Sequence, residues 1–175
     1  MLSTFTLSEF LSGGVPVVRE TIDNVTSTFV NPASPFVVNT PGGSNTVNIL
    51  DTFAGIAISI NGGGSDTVNV GNAGSVQGIL GSLTIQNPPS FTTLNVNDSA
   101  DTFPRTATLS TFTSGGANFG LIVGLAPAAI SYKYADISGP VNITTAVGQV
   151  SWIVRADALA SVTGVVVKDD GLQIN

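Results

Sequence analysis

Three copies of one short phrase decide the fold: TVNI at 46–49, TVNV at 67–70 and TLNV at 93–96. Each copy alternates apolar residues with Thr and Asn, so a β-strand would place its apolar side chains on one face and its polar side chains on the other. The copies begin 21 residues apart (46 to 67) and then 26 residues apart (67 to 93). Such intervals are too long for hairpin partners and suit successive turns of a solenoid.

A second series of apolar segments lies between the copies and advances with them along the chain. We expect the first series to continue through Leu121–Val123, a looser PVNI copy at 140–143 and the valine run after Ser161. Segments rich in Gly, Asn, Asp and Pro separate the two series and predict turns at the corners. The second series comprises FVV at 36–38, AISI at 57–60, LTI at 83–85, ATL at 107–109, AISY at 129–132 and WIV at 152–154.

The two series divide the chain into a short cap and a repetitive body. Residues 36–175 are predicted to form a right-handed parallel β-helix, and residues 1–35 an N-terminal cap with an irregular first turn. A solenoid needs such a cap because open strand edges invite aggregation. We interpret the first 14 residues as a short amphipathic helix that ends at Gly13 and Gly14. The apolar residues of that helix are Phe5, Leu7, Phe10 and Leu11.

On these copies and the strands interleaved with them, the chain resembles the right-handed parallel β-helix class, the pectin-lyase-like group that includes adhesin passengers and bacterial surface repeats. The resemblance covers residues 36–167 and concerns the architecture, so it carries no activity with it. It implies an all-β solenoid. The role we expect is that of a non-enzymatic structural or adhesive segment of a secreted or cell-surface protein.

Composition excludes several classes of function. The net charge is −6 with only five basic residues, which is unsuited to nucleic acid or anionic membranes. The chain has no His and no Cys, which removes the commonest general base and the thiol nucleophile. It also has no apolar run of about 18 residues, so membrane insertion is not expected. The partners left open are an unidentified surface, a carbohydrate or a protein, and end-to-end self-association.

The polar residues of the phrase form the most regular candidate surface. If the copies stack in register, their Thr and Asn side chains repeat about every 4.8 Å on the outside of the sheet. Such an array is similar to the ice-binding face of some β-solenoids, which gives the first alternative function. Ordinary strand propensity of Thr and hydrogen-bonded Asn ladders explain the same pattern without a ligand. The residues of this candidate face are Thr46, Asn48, Thr67, Asn69, Thr93 and Asn95.

One segment raises the question of calcium. NGGGSDTVN at 61–69 resembles a single calcium-binding nonapeptide of the RTX type, with Asp66 as its carboxylate. Such sites form between tandem copies, and the corresponding TPGGSNTVN at 40–48 offers Asn45 instead of a carboxylate. We therefore expect no cofactor, and Asp66 is a weak calcium candidate within a glycine-rich corner.

Aspartates after the strands of the first series raise the question of catalysis. Asp98 and Asp101 form a carboxylate pair with Arg105 close in sequence, and Asp51 follows an earlier copy. Clustered carboxylates act as acid and base in polysaccharide hydrolases, so a polysaccharide lyase or hydrolase is the second alternative. An enzyme groove needs a denser cluster of acids, bases and aromatic residues than this chain offers. We expect no enzymatic activity and interpret these aspartates as turn-capping residues.

Overall fold

The computed structural model describes residues 2–155 and 165–168, and residues 156–164 and 169–175 of the predicted β-helix lie outside the described residues. Within the described residues the chain is all-β, with a single 3₁₀ turn at Tyr134–Asp136 and no α-helix. This confirms the predicted all-β class. The strands are β1 Thr4–Ser12, β2 Val15–Ile22, β3 Val25–Val30, β4 Phe36–Asn39, β5 Thr46–Ile49, β6 Ile58–Asn61, β7 Asp66–Val70, β8 Leu83–Gln86, β9 Thr92–Asp98, β10 Arg105–Ser114, β11 Ala117–Val123, β12 Ile130–Lys133, β13 Val141–Thr145, β14 Val150–Val154 and β15 Val165–Lys168.

These strands form two mixed sheets. Sheet A has the order β15-β13-β9-β7-β5-β1-β2-β3, and sheet B has the order β14-β10-β11-β12-β8-β6-β4. From β4 to β9 the chain alternates between the sheets, and β13, β14 and β15 resume the alternation. Strands that meet across such crossovers pair in parallel. The phrase copies and the valine run therefore lie in sheet A, and the second series lies in sheet B.

The predicted place of Leu121–Val123 is wrong. This segment belongs to β11, which lies in sheet B and pairs antiparallel with β10 and β12. The reason is the turn between β10 and β11, where Gly115 and Gly116 both have positive φ (57° and 77°). A two-residue turn of this kind keeps the chain in one sheet instead of letting it cross to the other. As a result, β9 pairs directly with β13, and the phrase array is not interrupted.

The predicted N-terminal helix is also wrong. Residues 4–12 form β1, which pairs in parallel with β5 and forms a hairpin with β2. Phe5 and Leu7 are buried while Thr4 and Thr6 lie on the other face, so the period is that of a strand. In effect TFTL is a further copy of the phrase, aligned residue for residue with TVNI. Gly13 and Gly14, the predicted end of the helix, instead form the hairpin turn between β1 and β2.

Buried apolar side chains from both sheets form one core. In sheet A the pairing register places each buried residue beside a buried residue of the next strand: Ile49 beside Val70, and Val70 beside Val96. Each of these side chains is at most 1% exposed. The stacked arrangement suits β-branched residues, which pack well against their neighbours on a pleated surface.

The glycine-rich corners stack on one another without room for side chains. A Cβ added to Gly64 would lie 1.8 Å from the carbonyl oxygen of Gly43, and one added to Gly63 would lie 2.4 Å from that of Thr40. By contrast, a Cβ at Gly42 would approach only the Gly63 carbonyl oxygen, at an ordinary 3.9 Å. Close contact between backbones is therefore the structural reason for glycine in this corner.

We expect Gly64→Ala to lower the free energy of unfolding by about 2–3 kcal/mol, because the added methyl group must push two backbone segments apart. Gly42→Ala, in the corner stacked against Gly64, is the matched control and should change stability by less than about 0.5 kcal/mol. Urea denaturation followed by circular dichroism measures both values. Equal losses for the two variants would contradict the stacked-corner explanation.

Candidate functional site

The outward face of sheet A carries two rows of polar side chains. One row is threonine: Thr4 lies opposite Thr46, Thr46 opposite Thr67, and Thr67 opposite Thr93. The other row is mainly asparagine. All six residues predicted for this face are brought together, and the face is longer than predicted at both ends. The asparagine row consists of Thr6, Asn48, Asn69, Asn95 and Asn142.

The asparagine side chains form a continuous hydrogen-bonded ladder. The Nδ2 group of each donates to Oδ1 of the preceding one: Asn69 to Asn48 at 2.9 Å, Asn95 to Asn69 at 2.8 Å, and Asn142 to Asn95 at 2.9 Å. An amide has two N–H donors and two acceptor lone pairs, so each inner member keeps a donor and an acceptor for an external partner. The ladder fixes the orientation of the amides and leaves half of the hydrogen-bonding capacity of each inner amide for a partner outside the protein.

A groove of about 570 Å³ lies at one end of this face, above β7, β9 and β13. One wall is the turn after β7, in which the backbones of Asn72 and Ser75 exchange hydrogen bonds of 2.8 and 2.9 Å. A bond of 2.7 Å from Ala100 N to Gly74 O ties that turn to the next one. The lining contains no charged residue. It consists of Asn69, Val70, Gly71, Ala73, Gly74, Asn95, Val96, Asn97, Asn142 and Thr144.

The sequence interpretation missed several members of the face. Thr4 and Thr6 lie in the segment predicted to be helical, although their alternation with Phe5 and Leu7 is the pattern of a strand. Asn142 belongs to the PVNI copy, but the predicted strand at Leu121–Val123 would separate it from Asn95, whereas in the structure the two residues lie opposite each other. The turn after β7 carries no motif that would have indicated a groove wall.

Asp66, the weak calcium candidate, lies in a corner and is 3% exposed. Its carboxylate accepts hydrogen bonds from Thr40 Oγ1 at 2.6 Å and from the backbone and side-chain nitrogens of Asn45 at 3.0 and 2.7 Å. The aspartate thus joins two stacked corners. In the described part of the chain, no group of three or more His, Cys, Asp or Glu residues could hold a metal ion. The absence of a cofactor stays a prediction, and Asp66 stays the candidate for calcium.

Asp98, Asp101 and Arg105 lie close together at the end of β9, and each carboxylate has a partner within the chain. Asp98 is 1% exposed and accepts a hydrogen bond of 3.1 Å from Val76 N. Burial raises the pKa of Asp98. Burial also opposes ionisation of Asp101, but its bond of 2.5 Å from Arg105 Nε, with other hydrogen bonds, outweighs that effect and lowers its pKa. Both carboxylates therefore accept hydrogen bonds from groups within the chain, and their role as turn-capping residues stays a prediction.

A second carboxylate pair, which the sequence interpretation did not identify, joins β1 to the loop after β5. The backbone N–H of Glu9 donates to Asp51 Oδ1, and the Glu9 carboxylate accepts from Phe53 N. Burial, together with the charge of Asp51, raises the pKa of Glu9 to about 7. Burial also raises the pKa of Asp51. Contacts made by two partly desolvated carboxyl groups therefore hold β1 against the loop that follows β5.

No protein-family model, curated protein or solved structure matches this chain. Over the residues that the structure describes, there is no helix with the length and apolar character needed to cross a membrane.

The raised pKa of Glu9 predicts that stability falls as the pH rises from about 4.5 to about 7. The unfolded chain releases this proton near its ordinary pKa of 4.5, whereas the folded chain holds it up to about 7. Ionisation of Glu9 therefore lowers the stability of the folded state across that window. Ionisation of Asp51, whose pKa is also raised, lowers the stability in the same direction. We expect Glu9→Gln to be more stable than the parent by about 1 kcal/mol at pH 8, allowing for partial exposure, and no less stable at pH 4.5.

Urea denaturation at several pH values measures this effect. Asp23→Asn is the control, because hydrogen bonds from Thr4 N and Ser3 lower the pKa of Asp23. The Asp23 carboxylate stabilises the fold above its unfolded pKa of 3.8, so its loss should lower stability at neutral pH without changing the slope between pH 4.5 and 7. A parent protein whose stability is flat over that window would contradict the prediction.

Proposed function

We propose that this chain is a segment of a right-handed parallel β-helix with a non-enzymatic structural or adhesive role in a secreted or cell-surface protein. The parallel pairing of strands that alternate between two sheets supports the architecture, since a chain that winds around a core returns to the same sheet once per turn.

The observation that carries this proposal is the continuous amide ladder on the outward face of sheet A. The ladder cross-links four strands that are already paired through their backbones, from Asn48 to Asn142. Half-buried amides that bond to one another add stability and geometric definition, because each would lose hydrogen bonds if a neighbour moved. A regular, stiff and uncharged surface of this kind suits a spacer or a contact face.

The positions of the carboxylates do not favour the alternative function, a polysaccharide lyase or hydrolase. Asp98 and Asp101 lie behind the surface and hydrogen-bond to backbone groups or to Arg105, so a substrate would compete with these contacts. The groove above β7, β9 and β13 has amide and hydroxyl groups but no charged group in its lining. General acid and base catalysis requires a titratable group within hydrogen-bond reach of the substrate. We therefore assign the groove face to contact and not to chemistry.

The structural role predicts a graded response along the ladder. Asn69 is bonded to an amide on either side, whereas Asn48 accepts from Asn69 alone. We expect Asn69→Ala to lower the free energy of unfolding by about 1–2 kcal/mol and Asn48→Ala by about half as much. Urea denaturation gives the two values, and single-molecule stretching should show the same order of unfolding forces.

Two outcomes would contradict the proposal. One is a loss at Asn69 no larger than that at Asn48, which would mean that the ladder does not act as a unit. The other is cleavage of a polysaccharide such as polygalacturonate by the purified chain, if the new chain ends disappear in the Asp98→Ala variant. The first outcome bears on the structural role, and the second bears on the absence of catalysis.

Ice binding is the second candidate, and one observation favours it. Thr4 extends the threonine row, so that row covers four neighbouring strands with a repeat of about 4.8 Å. If the face orders water as ice does, the protein should show thermal hysteresis, and Thr67→Tyr should abolish it by disturbing the centre of the row. Ser59→Tyr, on the outward face of sheet B, is the control. Absence of hysteresis in the parent protein at high concentration would remove this candidate.

A further inference from the structure

The outer edge of sheet A is formed by β3, the six-residue segment VTSTFV at Val25–Val30. No strand lies beyond it among the described residues. Residues 26–30 are exposed on both faces of the strand, with Val30 67% and Phe29 38% exposed. Phe29 contacts Phe36 of β4 edge to face, with ring centroids 5.0 Å apart. β3 is therefore held by its pairing with β2 and by the Phe29–Phe36 contact, and its other edge has no paired strand among the described residues.

The pairing register shows which backbone groups point outward. In the hairpin of β2 and β3, Ile22 lies opposite Val25, and the pairing continues as far as Val30. Asn31 N donates to Pro16 O at 2.7 Å, so the odd-numbered positions of this segment are the ones bonded to β2. The N–H and C=O groups of Thr26, Thr28 and Val30 must then project from the free edge.

This edge lacks the features that usually prevent strands from pairing. Natural edge strands carry lysine, proline, a bulge or a covering loop. β3 has no charged residue and no proline, and its pairing with β2 has no bulge. Short uncharged segments with high strand propensity are the type that pairs with another strand. The chain has a net charge of −6, and the absence of charged residues from β3 removes like-charge repulsion between two copies of this strand.

We propose that β3 pairs with β3 of a second copy of this chain, antiparallel and about a two-fold axis that passes between the two Thr28 residues. In this register Thr28 faces Thr28, and Thr26 faces Val30 of the other copy. Each facing pair uses outward backbone groups on both sides and exchanges both N–H···O bonds. Thr–Thr and β-branched pairs are favourable across strands. The contact is isologous, so the same surface closes the dimer and no longer polymer forms through it.

The choice of a second copy follows from this self-complementarity. The hydrogen-bonding groups of β3 repeat at every second residue about Thr28, so the strand satisfies itself when it is rotated by half a turn. A charged peptide would find no opposite charge along β3. A single strand pair buries less than the roughly 1,200–2,000 Å² of a stable interface, so the dimer is weak, with a dissociation constant of about 10 μM to 1 mM.

Sedimentation equilibrium over about 10 μM to 1 mM tests the dimer. Thr28→Pro removes an outward N–H while leaving the bonds between β3 and β2, so it should weaken dimerisation at least about tenfold. Thr28→Val keeps that N–H and the branched side chain, and it should dimerise like the parent. Circular dichroism confirms that each variant remains folded. A parent protein that is monomeric throughout, or equal dimerisation of the Pro and Val variants, would overturn the proposal.

A charge-swap experiment tests the register without proline. Thr28→Lys places two ammonium groups against each other at the two-fold axis, and Thr28→Glu places two carboxylates there, so each variant alone should be monomeric. An equimolar mixture should form a heterodimer, because the opposite charges then meet. If each variant dimerises as well as the parent, or if the mixture stays monomeric, position 28 is not at the axis and the proposed pairing is wrong.

Discussion

The constraint on which this structure depends is parallel pairing in register. In sheet A each position of one phrase copy lies opposite the same position of the next copy, about 4.8 Å away. At each position of the phrase, the side chain must therefore pack or hydrogen-bond well beside the side chain at the same position of the next copy. Valine and isoleucine meet this condition inside, because they interdigitate in the core. Asparagine meets it outside, since an amide is both donor and acceptor and can bond to its own copy in either direction. Glycine meets it at the corner where Gly64 lies against Gly43.

The same constraint accounts for the low charge of the chain. Charged residues are 9% of the sequence, and like charges opposite each other in a sheet are destabilising. The buried carboxylates avoid the problem through partners of another kind: Asp66 accepts from Asn45 and Thr40, and Asp101 pairs with Arg105. Glu9 and Asp51 are the exception. They place a carboxyl group of β1 beside one in the loop after β5, and burial together with this proximity raises the pKa of Glu9.

Sequence patterns predicted the parts of the fold that obey the repeat. The TVNI, TVNV and TLNV copies and the segments between them indicated the strands, the two series and the glycine corners. The errors arose where antiparallel hairpins depart from the repeat. Leu121–Val123 has the composition of a core strand, and composition does not distinguish the two sheets. At the N-terminus, Phe10 and Leu11 follow the alternating Phe5 and Leu7, which blurs the period of the strand. Groove walls and the Glu9–Asp51 pair arise from contacts between residues distant in sequence, and no local pattern encodes them.

The hairpins also explain why the two ends of sheet A differ. A parallel neighbour requires the chain to cross to sheet B and return, whereas a two-residue turn adds an antiparallel neighbour at once. The turns at Gly13–Gly14 and Asp23–Asn24 therefore extend sheet A by β2 and β3 without adding strands to sheet B. The Phe29–Phe36 contact holds the last of these strands against the edge of sheet B. Because antiparallel pairing does not require identical residues to lie opposite each other, β3 is freed from the repeat. Its outer edge can consequently form an interface without affecting the amide face.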